Sequence, residues 1–257
     1  MNVDEIKRYW ETRAADDPSS QSTTQDHFLR SIEARSIMEQ IRARAPKRVA
    51  DIGCGDARTT GQLADTFPDV LFQGMDYSAS MIGNAQRVVS QASLSNLTLS
   101  IADVLEPLPV EDPVDLAYTS RCLINLPGWD LQKQAISNIR DAVRPNGYYV
   151  MVENFVEGQA NFNAVRESFG LPAIGIRDHN TFFERDRLIE FLQESFDVEF
   201  EQNISSTYYL VSRVIYSKLC EDTNDSPDYF DKHHEYAAGL PFAGEYGPVR
   251  MLVLRKK

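Results

Sequence analysis

The stretch RVADIGCGDART (48–59) constrains this chain more than any other. An apolar strand over 49–53 runs into a turn with glycines at 53 and 55, and a helical pattern begins around 58 and continues to 66. A strand, a glycine turn and a helix make the first half of a parallel-sheet unit, since the next parallel strand needs a crossover. The turn also narrows what binds there. A phosphate loop of the GxxxxGK type needs a lysine, and this turn has none. A dinucleotide turn reads GxGxxG, and here Arg58 stands in place of the third glycine. That glycine lets helix and strand pack closely beside a pyrophosphate, so its loss argues against NAD or FAD.

The alternation continues down the chain. Strands are predicted over 70–76, 97–104, 114–123 and 148–155, with helices over 78–92 and 131–144 between them. Ser78 is placed to cap the first of these helices, and Pro145 and Gly147 to stop the second. Before the first strand, an amphipathic start (3–13) and a polar run (15–25) lead into a helix over 26–44 capped by Asp26. After the fifth strand, residues 158–183 hold one short helix and then a long irregular run, followed by a helix (185–195), a strand (197–204), a helix (206–220), a polar loop (221–247) and a final strand (249–256). The pattern predicts one α/β domain over 1–257: a Rossmann-like, seven-stranded, mostly parallel sheet with helices on both faces. Residues 1–45 form a cap or lid, 46–155 the cofactor-binding core, and 156–183 with 205–248 the acceptor-site loops inserted after strands five and six.

The turn VADIGCGDAR, taken together with the acidic strand ends at 76 and 103 and the run TSRCLINL (119–126), resembles motif I of the class I S-adenosylmethionine-dependent methyltransferases. The resemblance covers about 45–155 well and the rest more loosely, and it implies S-adenosylmethionine as cofactor and S-adenosylhomocysteine as product. It implies that Asp51 serves the amino-acid end of the cofactor, that the backbone of Gly53, Cys54 and Gly55 approaches it closely, and that Asp76 accepts the ribose hydroxyls. Tyr77 or Met81 would lie against the adenine, Asp103 and Val104 would reach its amine, and Ser120 and Arg121 would close the site after strand four. Open parallel sheets bind ligands at the carboxyl ends of their strands, where all four motifs fall.

The methyl acceptor must be held outside this shared core. Tyr9, Thr24, Gln25 and Asp26 are lid candidates. The loops after strands five and six carry Asn154, Asn163, Arg166, Arg177, Asn180, Tyr208, Tyr209, Arg213 and Tyr246, an inventory suited to hydroxyls or anionic groups. The expected reaction is methyl transfer to a small polar acceptor, first of all a hydroxyl of a sugar-like or secondary metabolite. A hydroxyl needs its proton removed, and of the four histidines His179 is the first candidate base, with Glu153 the second. An amine acceptor would instead need deprotonation and orientation, with tyrosines favouring the developing cation. An NAD-dependent oxidoreductase and a non-catalytic cofactor-binding module are the competing readings.

Composition sets the outer bounds. With 26 Lys and Arg against 38 Asp and Glu the chain carries −12, which disfavours nucleic acid as a partner. No apolar run approaches the ~20 residues needed to span a bilayer, and MNVDEIKRYW lacks signal-peptide character. The three cysteines are scattered and no metal-ligand spacing occurs, so the expectations are a cytoplasmic setting, no membrane partner and metal-independent chemistry.

Overall fold

The computed structural model describes residues 1–16 and 24–257; most of the polar run expected over 15–25 lies outside the described residues. Seven strands form one sheet: β1 (Arg48–Ile52), β2 (Leu71–Asp76), β3 (Leu97–Ile101), β4 (Val114–Ser120), β5 (Val143–Asn154), β6 (Phe196–Asn203) and β7 (Val249–Lys256). Their order is β3-β2-β1-β4-β5-β7-β6. The first five pair in parallel, and β7 runs antiparallel to both neighbours. The predicted fold class holds. Chain order reverses between β1 and β4, so their carboxyl ends flank the crevice where such sheets bind ligands.

The helices before β5 are α1 (Val3–Asp16), α2 (His27–Arg44), α3 (Arg58–Thr66), α4 (Ala79–Ala92) and α5 (Trp129–Ala142). Those after it are α6 (Val156–Ser168), α7 (Arg185–Leu192), α8 (Ser206–Tyr209), α9 (Tyr216–Thr223) and α10 (Lys232–Ala238). Both predicted caps form: Asp26 accepts the N–H of Leu29 at 3.0 Å and Ser78 that of Met81 at 3.0 Å. One face of the sheet is covered by Leu29, Ile32, Ile37 and Ile41 of α2 with Leu63 of α3 and Tyr208 of α8; the other by Ile136 and Ile139 of α5 with Leu188 and Leu192 of α7. Each such aliphatic side chain contributes about 1.5–3 kcal/mol by leaving water.

Three boundaries differ from expectation. β4 ends at Ser120 rather than 123, because Arg121 takes φ +52, which ends extended pairing. β3 ends at Ile101, leaving Asp103 beyond the strand. α5 ends at Ala142, and β5 already starts at Val143, paired with Val114. Pro145 drives Arg144 out of the helical region, and Asn146 at φ +58 absorbs the irregularity before Tyr148 pairs with Leu116. The helix expected over 206–220 is interrupted between α8 and α9 by a π-helical segment, Leu210–Ile215. The loop expected over 221–247 contains α10.

Candidate cofactor and acceptor site

The turn after β1 is tied down from two sides. The N–H groups of Gly53 and Cys54 donate to the Met75 carbonyl at 2.8 and 2.9 Å, and that of Gly55 to Asp76 Oδ2 at 2.9 Å. Gly53 has φ +77, and a Cβ there would collide with the Cys122 thiol. Only glycine meets both conditions. Beyond the turn opens a cavity of about 200 Å³ lined by Asp51, Gly53, Cys54, Gly55, Asp76, Tyr77, Met81, Ser120 and Arg121. These are nine of the eleven residues expected at the cofactor.

Asp51 is buried and accepts hydrogen bonds from the hydroxyls of Thr60 and, at 2.8 Å, Tyr118; burial pushes its carboxyl up to about 7 against these bonds. Burial likewise raises Asp76 to about 6, opposed by the N–H groups of Ser78 and Gly55. Asp103 and Val104 do not line this cavity. Asp103 is paired with the Lys7 ammonium of α1, and Val104 packs against the core beneath α5. β3 stops too early to carry either side chain into the crevice.

Helix α1 lies across the cavity mouth. The Glu11 carboxylate accepts hydrogen bonds from the hydroxyls of Ser78 and Ser80 and from the Ser80 N–H, which hold it below its ordinary range. Trp10 lines the cavity and donates its indole N–H to Asn125 Oδ1 at 3.2 Å. Tyr9 stacks on His179 with centroids 4.7 Å apart, and Trp10 meets the same imidazole edge-on at 5.8 Å.

The sequence reading missed a polar group beneath the cavity. Glu33 of α2 is buried and pairs with the Arg121 guanidinium, Nε to Oε1 at 2.7 Å, while burial raises its carboxyl. Arg30, one turn earlier, also lines the wall and pairs with Asp56 at 3.7 Å.

A second cavity, of about 570 Å³, adjoins the first; Arg121, Ile124, Arg177 and Asn180 line both. Of the residues expected at the acceptor, Asn154, Arg166, Asn180, Tyr209 and Arg213 line it, together with Asp26, Gln159 and His234. Asn163, Tyr208 and Tyr246 do not. Asn163 turns back to the main chain of Ile174. Tyr208 is buried, its hydroxyl bonded to Asp26 Oδ1 at 2.6 Å and His234 Nδ1 at 2.8 Å. Tyr246 lies at the surface, 39% exposed.

The two candidate bases part ways. His179 is buried in the wall of the first cavity, and burial, then Arg177 and Arg13, lower its pKa. Glu153 faces neither cavity. It is fully buried and accepts the N–H groups of Cys122, Leu123 and Ile124 at 3.1, 3.0 and 3.3 Å, with burial raising its carboxyl to about 7. It shapes the loop after β4, which carries Arg121 and Asn125 into the wall of the first cavity.

The first cavity fits an adenosyl sulfonium amino acid. Its glycine turn brings bare main chain to the wall, and the Tyr77 hydroxyl is buried there with no protein partner among the described residues. Asp76 has two acceptor oxygens that a ribose could use, Tyr77 and Met81 line the wall where an adenine would lie, and Arg30 suits a carboxylate. Among the described residues no group of three His, Cys, Asp or Glu side chains is placed to hold a metal, and no helix is long and apolar enough to cross a membrane.

Comparison with known proteins agrees with this geometry. Residues 49–147 match the methyltransferase domain family. Trans-aconitate 2-methyltransferase of Deinococcus radiodurans is 31% identical over 118 residues, 46% of this chain and 42% of that protein. The malonyl-acyl-carrier-protein O-methyltransferase of Bacillus cereus is 27% identical over 197 residues, 72% of this chain and 65% of that one. The chain thus spans less than half the length of the first of these relatives. Among solved structures, the N-methyltransferase NodS of Bradyrhizobium japonicum, in complex with S-adenosyl-l-homocysteine, superposes with a TM-score of 0.58 at 16% identity, covering 98% of both chains. The cyclase SpnF gives 0.57 at 18% identity over 86% of this chain and 80% of its own. The last two show the fold alone.

Proposed function

We propose, from the premise that residues 49–147 belong to the class I S-adenosylmethionine-dependent methyltransferases, that this chain moves a methyl group from that cofactor to an oxygen of a small polar acceptor, in first place a hydroxyl. The observation that carries the reading is the pair of adjoining cavities. One is shaped for the cofactor, the other is polar, and they meet at Arg121, Ile124, Arg177 and Asn180.

When bound, S-adenosylmethionine supplies a methyl group on an electron-poor sulfonium sulfur. The chain's own work is alignment and exclusion of water. Asp76 would take the ribose hydroxyls and Tyr77 and Met81 would hold the adenine, while Trp10 of α1 lines the same cavity. Asn180 donates to Asn125 Oδ1 at 3.1 Å, which fixes the wall where the cavities join. His179 lines that end. Its lowered pKa keeps the ring neutral at physiological pH, so a ring nitrogen can take the proton of an acceptor hydroxyl. Glu153 holds the loop behind this wall and takes no proton from the acceptor.

A carboxylate oxygen is the second reading. Arg177, at the junction, has no carboxylate partner among the described residues, and the trans-aconitate and malonyl-acyl-carrier-protein relatives are named for acids. Such an acceptor needs no base.

Calorimetry with S-adenosylhomocysteine and with NAD tests the cofactor. Saturable binding of the first and none of the second is expected; the reverse makes the chain an oxidoreductase. SpnF shares the fold under the name of a cyclase, so turnover is tested separately, by transfer of labelled methyl to candidate acceptors. Binding without any transfer leaves a cofactor-binding module.

A further inference from the structure

Of the guanidinium groups that line the acceptor cavity, two have their charge matched deep in its wall. Arg213 pairs with Asp26 and Arg121 with Glu33. Arg166 does not share this arrangement. It is 6% exposed, on α6, with its guanidinium over the Phe162 ring. It donates from Nε to the Pro172 carbonyl at 2.8 Å and from Nη1 to the Arg213 carbonyl, and no carboxylate pairs with it among the described residues. Nη2 has no protein acceptor there either. Burial, and then repulsion from the like charge of Arg213, lower its pKa. Asn154 lines the same cavity, and its Oδ1 is buried with no partner among the described residues.

A cation removed from water without a counter-charge is costly, and the two main-chain carbonyls that Arg166 satisfies supply no negative charge. We propose that Arg166 anchors an oxyanionic group of the acceptor, a carboxylate or a phosphate ester, remote from the atom that is methylated, with Asn154 in the wall of the same cavity. An oxyanion at Nη2 completes the guanidinium's set of acceptors and supplies the missing counter-charge. The Asn154 amide, whose oxygen and nitrogen can exchange places, turns its N–H toward the same oxyanion. The two oxygens of Asp26 are occupied by Leu29, Tyr208 and Arg213, so their charge is already spent. Asp228 also lines the cavity but lies at its exposed rim. The anchor sets orientation. An acceptor fixed at Arg166 reaches the junction of the cavities with its other end, which gives the enzyme its choice among several oxygens of one molecule.

The inference rests on the reading of the second cavity as the acceptor's, and its test is separable from that of methyl transfer. The full chain is titrated calorimetrically with citrate, glycerol phosphate and glycerol, each with and without S-adenosylhomocysteine. Saturable, salt-sensitive binding of citrate or of glycerol phosphate is expected, and none of glycerol. Citrate binding assigns the group as a carboxylate and glycerol phosphate binding as a phosphate ester. Arg166→Met is expected to weaken that binding roughly tenfold or more. Asn154→Asp, which adds a negative charge to the wall of the same cavity without breaking an Oδ1 hydrogen bond, should weaken it as well. S-adenosylhomocysteine affinity should stay unchanged in both, which reports an intact fold. Binding of neither oxyanion, or oxyanion binding that ignores both substitutions, overturns the anchor. Oxyanion binding without S-adenosylhomocysteine binding would sink the methyl-transfer reading and leave the anchor standing.

Discussion

Asp76 Oδ2 accepts the main-chain N–H of Gly55 at 2.9 Å, so the end of β2 and the turn after β1 are set against each other by a bond of the protein's own. The second oxygen takes the N–H of Ser78, also at 2.9 Å. Each oxygen keeps a lone pair for a ribose hydroxyl.

That double duty gives the cofactor a pH dependence. Burial holds Asp76 at about 6, and the carboxylate is the form that accepts from a diol. Protons therefore compete with the cofactor. Affinity for S-adenosylhomocysteine should be level above about pH 7 and weaken as pH falls through about 6. Asp76→Ala should cost roughly 1.5–3 kcal/mol for each charge-assisted hydrogen bond lost. Calorimetry over about pH 5 to 8 checks both, and a flat profile counts against the assignment.

His179→Ala should lower the rate of the chemical step by ~10²–10⁴ for a hydroxyl acceptor and leave cofactor affinity nearly unchanged. The lowered pKa of the ring places its ionisation below the ordinary ~6.5, so the native rate should be level through neutrality and fall only in more acidic solution. Single-turnover rates of both proteins across pH decide it. Full activity of the variant removes His179 from proton transfer and favours a carboxylate or amine acceptor.

Glu11 is the main polar tether of α1 to the start of α4. Glu11→Ala should expose the amides of 3–16 to hydrogen exchange and speed cofactor release, with little change in the protection of α4. Equal protection in both proteins would show that Trp10 and Lys7 suffice to hold the helix.

Glu153→Ala would leave three main-chain N–H groups of the loop after β4 without an acceptor, at about 1–3 kcal/mol for each that stays buried. A folded-state pKa of about 7, raised above the unfolded value, means that this group's contribution is complete in acid and is lost as pH rises through about 7. Glu153→Gln should remove that part of the decline. Thermal melts of both proteins at about pH 5 and 8 measure it.

The cofactor half of the site was legible because topology gathers it. Parallel strands place their carboxyl ends together, so Gly53, Asp76 and Ser120 are neighbours whatever the loops do. Asp103 marks the limit of that logic: it lies past its strand, and the loop carries it to Lys7 instead. The acceptor half was legible only as an inventory. Asn163 and Tyr208 belong to the same polar set as Asn154 and Arg166, but α6 and α8 are short helices with little apolar periodicity to say which face turns to the cavity, and Tyr246 lies in a loop with none. Glu33 did leave a signal. It stands four residues after Leu29 and four before Ile37, on the apolar face of α2, where a lone acid calls for a partner.

The π-helical segment 210–215 places one more residue in its turn than a regular helix would. Removing one residue would restore ordinary pairing and change the phase of the residues inside the segment, while the turns on either side keep theirs, because the wide turn is what absorbs the extra residue. Arg213 lies within this segment, and its grip on Asp26 depends on that phase. The irregular winding is thus confined to the stretch that carries Arg213, and a deletion there would give a firmer helix with a different residue opposite Asp26.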